Sequence, residues 1–161
     1  WILSKPISRE SFVLSKFFAK SININISMVL IPGIIAYFEL SLIQGQWLSS
    51  INFLGALGLI SLVQMFHITF TLMLGTIYDT PAPVAAIPMV FNFSQQFIAS
   101  IPFAIQIIPL GLFFPQGTQL SVIASIIIGE VPFSLIPLFA TVAYILLFLL
   151  FAILKFKKVE L

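Results

Sequence analysis

In the long apolar middle of this chain, the side chains best placed to do chemistry are one histidine and a few amides. His67 stands in "VQMFHITF", three residues after Gln64, a spacing that puts both on one face of a helix. A single imidazole makes no metal site without further ligands. The pair reads either as hydrogen bonding between packed helices or as a polar spot on a transport path. Polar groups inside membrane segments mark functional places. The second cluster is "NFSQQF", with Asn92, Ser94, Gln95 and Gln96. Its amides either bond across helices or line a cavity for an amphiphilic substrate. Among the carboxylates, Glu39 and Glu130 read as interfacial groups, with a proton relay as the alternative for Glu39. Asp79 opens the turn "DTPAP".

The elements that carry these residues must lie in a membrane. The chain has 161 residues, 60% hydrophobic and only 7% charged, with a mean hydropathy of +1.18. A soluble domain carries about 25% charged residues, so a water-soluble globule is excluded. There is no cysteine, which removes disulfides, thiolate metal sites and cysteine catalysis. No P-loop occurs, and neither G-x-S-x-G nor H-E-x-x-H is present. The isoelectric point near 9.1 does not indicate nucleic-acid binding, because the cations sit only at the two ends.

The expected fold is all-α, a polytopic membrane helix bundle. About 20 apolar residues cross the bilayer core, which gives crossings over 22–43, 53–78, 84–114 and 132–154. Pro88, Pro102 and Pro109 rule out an unbroken straight helix in the third of these. Residues 119–130 are too short to cross and are expected as a re-entrant or interfacial piece. Lys5, Arg9, Lys16 and Lys20 flank the first segment, and Lys155, Lys157 and Lys158 flank the last. The positive-inside tendency puts both ends in the cytoplasm, which requires an even number of crossings. Residues 1–21 form a cytoplasmic amphipathic helix and 22–161 the transmembrane domain.

The opening stretch "SKPISRESFVLSKFFAK" holds four of the seven basic residues. Treated as a helix capped by Ser8 and led by Pro6, it places Arg9, Lys16 and Lys20 in a narrow arc. Phe18, Leu14 and Ser11 lie opposite. Such a helix lies along a membrane surface and binds anionic headgroups.

The wording of this stretch also resembles the cytoplasmic segment that precedes the third membrane helix in ATP-binding-cassette exporter permeases of the type 2 class. The matching positions are Pro6, Ser8, Arg9, Val13, Leu14 and Lys16, with Ser15 standing where the family usually has Gly. "YILLFLLFAILKFKKVEL" is similar to the family's last helix and its basic end. The resemblance implies that two membrane helices precede this stretch in the family layout. It implies that Pro6, Ser8, Arg9, Lys16 and Lys20 couple to an ATP-binding subunit. It further implies a second permease chain, identical or different, with ATP and magnesium on the partner subunit and no cofactor on this chain. Gln64, His67, Asn92, Gln95 and Gln96 are the candidate transport-path residues.

The expected function is thus the permease subunit of an ATP-driven exporter in the plasma membrane, multi-pass and in contact with lipid. It would move a hydrophobic or lipid-like substrate and perform no covalent chemistry itself. Two other readings stand beside it. An ion- or proton-coupled carrier would use Glu39, His67 and Glu130. A structural membrane anchor would tolerate apolar replacement of the polar positions.

Overall fold

The computed structural model describes residues 9–98, 101, 103–115 and 118–158, and the described residues include no strand. Among the described residues six α-helices follow one another: α1 (Arg9–Ile24), α2 (Ile31–Gln44), α3 (Ser50–Gly75), α4 (Pro81–Ile98), α5 (Val122–Ile128) and α6 (Ile136–Lys158). A π-helical turn, Asn25–Leu30, joins α1 to α2, and two 3-10 turns, Ala104–Gln106 and Pro109–Leu112, follow α4. Among the described residues three helical stretches are long and apolar enough to cross a membrane: Ser11–Gln44, Ser50–Gly75 and Ile136–Phe156.

The expected surface helix and the first expected crossing are one continuous rod. The reason for its π turn lies in Pro32. In an unbroken α-helix the proline ring would press on the carbonyl four residues back, and it has no N–H to donate. The wider turn ends with the Ile31 N–H bonded to the Ile26 carbonyl, five residues back, just before that proline. The 34 residues of Ser11–Gln44 span roughly 50 Å at 1.5 Å per residue. A bilayer core is about 30 Å thick, so the rod outruns it. The buried stripe of α1 is Val13, Phe17 and Ser21. Phe18, on the greasy face opposite the lysines, is exposed, so that face is left outside the helix packing.

The rod runs antiparallel to α3. Gly33 sits against Leu57 and Tyr37 packs edge-on to Phe53. The α6 helix runs alongside α3 in the same direction: Leu138 joins the core around Ala56 and Val63, and Phe148 packs on Phe66 and Phe70. Phe12 stacks on Phe156 with centroids 5.8 Å apart, so the start of α1 and the end of α6 meet at one end of the bundle.

The segment expected as a third crossing, 84–114, is not one helix. The α4 helix ends at Ile98, short of Pro102, and its prolines and polar cluster make it less apolar than the three long stretches. The chain then turns inward. Pro109, Gly111 and Leu112 are buried, and Leu112 joins Ala56, Val63, Val122 and Ile123 in the core. The non-helical backbone of these turns is covered by α3, α5 and α6. The short α5 is part of this core. Its Ser121 hydroxyl accepts the Ala124 N–H, and its end is turned by Gly129 at φ 83°, a left-handed conformation natural to glycine.

Outward-facing apolar side chains, including Met28, Ile35, Leu42, Leu54, Phe93 and Leu146, cover the sides of the bundle. In water such coverage would drive aggregation; in lipid it is the required surface.

Candidate functional site: a lysine-lined groove between α1 and α3

Two lysines of the opening stretch, Lys16 and Lys20, and the histidine of the apolar middle come together in one place. A groove of about 400 Å³ separates α1 from α3. On the α1 side it is lined by Lys16, Lys20 and Ile24, spaced at four residues. On the α3 side it is lined by Gln64, His67, Ile68, Thr71 and Leu72. Both sets follow the three- and four-residue spacing of a single helix face. The antiparallel packing of the two helices sets those faces opposite each other.

The polar groups of the groove are only partly committed. Lys16 holds its ammonium 4.6 Å from the centre of the Phe12 ring, a cation–π contact. Both lysines are exposed, and neither forms an ion pair among the described residues. Among the described residues no acidic side chain lines the groove. The His67 Nδ1–H donates to the Val63 carbonyl of its own helix at 2.8 Å, while Nε2 is buried without a partner. The Thr71 hydroxyl donates to the His67 carbonyl at 2.8 Å. His67 and Gln64 therefore do not bond across helices. They serve as walls of a basic groove. Deeper along α1, Ser21 Oγ and Asn25 Oδ1 are also buried without partners, beside the π turn.

The other predicted path residues lie elsewhere. Gln95 is fully buried, and its Oε1 accepts the Leu110 N–H at 3.2 Å, while its Nε2 is without a partner. Asn92 is exposed. Gln96 lies in α4, and its side chain is outside the described residues. Glu39 is exposed on α2. Glu130 lines a separate cleft of about 460 Å³ at the α5 end, with Gln119 and Ser125 among its neighbours. His67 and Glu130 thus belong to different clefts. Asp79 is exposed in the bend before α4. Pro6 and Ser8 lie outside the described residues; Arg9 opens α1, with its side chain likewise outside them.

Sequence reasoning missed the aromatic centre of the bundle. Phe66 is almost fully buried and packs against Phe70, Phe91, Tyr144 and Phe148, with centroids 5.6–6.1 Å away. The signal available was the pair Phe66 and Phe70 at helical spacing, matched by Tyr144 and Phe148. No family model matches the chain, and no curated protein or solved structure matches it either.

Proposed function

We propose that this chain is the membrane-embedded part of a permease in an ATP-driven exporter, with ATP hydrolysis on a separate subunit. The observation that carries the reading is the continuity of α1 with the first long apolar stretch. A subunit that docks on the basic start of α1 would move a rod that ends at Gln44. That rod meets α3 along the groove of Lys16, Lys20, Gln64 and His67. Pro6, Ser8 and Arg9 would form the docking end; Lys16 and Lys20 would pass the motion to α3. The resemblance of the opening stretch to type 2 permeases supports the same assignment.

In this reading α4 and the turns that follow it make a fourth, broken crossing. Lys16, Lys20 and Lys155 share the end at which Phe12 meets Phe156, which the positive-inside tendency assigns to the cytoplasm of the plasma membrane. A second permease chain would complete the translocation path for a hydrophobic or lipid-like substrate.

The test is purification of the chain in its native assembly from mild detergent, with ATPase activity assayed on what accompanies it. An ATP-hydrolysing subunit should co-purify, and reversal of charge at Arg9 and Lys16 (Arg9→Glu, Lys16→Glu) should detach it while membrane insertion persists. Substrate-stimulated ATPase that survives the double reversal would overturn the coupling role.

A further inference from the structure

We infer that the α1–α3 groove is a binding site for the phosphate of one anionic phospholipid, drawn from the leaflet that the basic end of the bundle enters. The inference stands apart from the exporter reading, since it needs no ATPase.

Lys16 and Lys20 are one helical turn apart on the same wall of the groove, and like charges at that spacing repel. No carboxylate among the described lining residues relieves them. A phosphate held between the two ammonium groups would. Gln64, on the opposite wall, has no hydrogen-bond partner among the described residues, so its amide N–H₂ is free to donate to a phosphate oxygen. Ile24, Ile68 and Leu72 complete the lining and offer an apolar surface to the first methylenes of acyl chains. The groove sits inside a stretch apolar enough to cross a membrane, so a ligand that is anionic at one end and greasy at the other meets both parts of it. A soluble anion would use only the first.

The full chain would be reconstituted in nanodiscs of phosphatidylcholine doped with phosphatidylglycerol, and retained lipid counted by native mass spectrometry. One phosphatidylglycerol per chain should remain after mild extraction. The double variant Lys16→Gln, Lys20→Gln should lose it by roughly thirtyfold, the effect of two membrane-proximal lysines acting at one site. The charge-matched pair Lys155→Gln, Lys157→Gln should retain it. Ile68→Trp, which fills the groove and leaves every charge in place, should expel it. Equal loss in the two lysine pairs would overturn the site in favour of diffuse headgroup attraction, as would retention in Ile68→Trp. If millimolar inorganic phosphate displaces the lipid and protects the wild-type chain from heat but not the groove variant, the ligand is a free phosphate and the lipid assignment falls.

Discussion

The side-chain oxygen of Gln95 accepts the backbone N–H of Leu110 at 3.2 Å, and this bond ties the end of α4 to the chain that re-enters the bundle. Pro109 gives the start of that 3-10 turn no N–H of its own, so the next amide is the one that needs a partner. Gln95 supplies it from fifteen residues away while fully buried. The turn then closes through Gly111 N–H to Ile108 O and Phe113 N–H to Leu110 O, both 2.9 Å. The amides of "NFSQQF" therefore divide in role: at Gln95 the structure shows a backbone clamp.

Replacement of Gln95 separates two opposing terms. Gln95→Leu strands the Leu110 N–H, a cost of about 1–3 kcal/mol, but removes the unpaired Nε2, which carries a similar penalty. The net change in stability should stay within about 1 kcal/mol. Gln95→Glu keeps the acceptor but places a carboxyl group where water does not reach. It should cost about 2 kcal/mol or more. Thermal melting in detergent micelles would compare them; equal melting of the two variants would show that position 95 is hydrated.

Gly111 is required by close approach. A Cβ there would overlap the Ile105 carbonyl oxygen and lie 3.5 Å from Pro137 Cβ. Backbone cannot give way as a side-chain tip can, so Gly111→Ala should lose about 1–3 kcal/mol. Gly58, inside α3, has nothing within 4 Å of the corresponding position. Gly58→Ala should be neutral or stabilising by up to about 1 kcal/mol through helix propensity. The pair of melting temperatures checks both.

Pro32→Ala should remove the cause of the π turn. With an N–H restored at position 32, the segment can return to four-residue hydrogen bonding. Loss of the extra residue in the turn rotates α1 by about 100° relative to α2. Lys16 and Lys20 would then leave the groove. The chain has no cysteine, so Lys20→Cys with Ile68→Cys gives a clean cross-link across the groove. The cross-link should form readily in the parent and fall at least several-fold in the Pro32→Ala background. Undiminished cross-linking would show that the π turn has another cause.

Much of the framework was legible in one dimension because a bilayer imposes a simple rule. Backbone groups in hydrocarbon must be satisfied internally, so long apolar runs free of proline clusters become helices. The runs over 22–43, 53–78 and 132–154 did so, with α2, α3 and α6 as their cores. Pro88, Pro102 and Pro109 argued against one straight helix over 84–114, and the segment is divided among α4 and two 3-10 turns. The sequence also told that the polar spots at Gln64, His67 and Gln95 were out of place in oil. It did not tell their partners.

Their surroundings are relations between elements, and only the tertiary structure decided them: Gln95 meets the Leu110 N–H, while His67 bonds Val63 of its own helix and faces α1 across the groove. The face that α1 buries follows from what α3 and α6 present to it, so Val13, Phe17 and Ser21 go inside while Phe18 stays out. Helical period separates the lysines of α1 from its apolar residues but does not choose between Phe17 and Phe18, because both could face lipid or protein. The groove of Lys16 and Lys20 with Gln64 and His67 depends on two residue rows more than forty positions apart lying side by side. The Gln95–Leu110 bond depends on the fold of a segment that has no regular period at all. Composition placed the chain in a membrane; packing of one helix against another brought its charges and amides together, because hydrogen bonds and charge pairs act over a few ångströms of space and not over sequence.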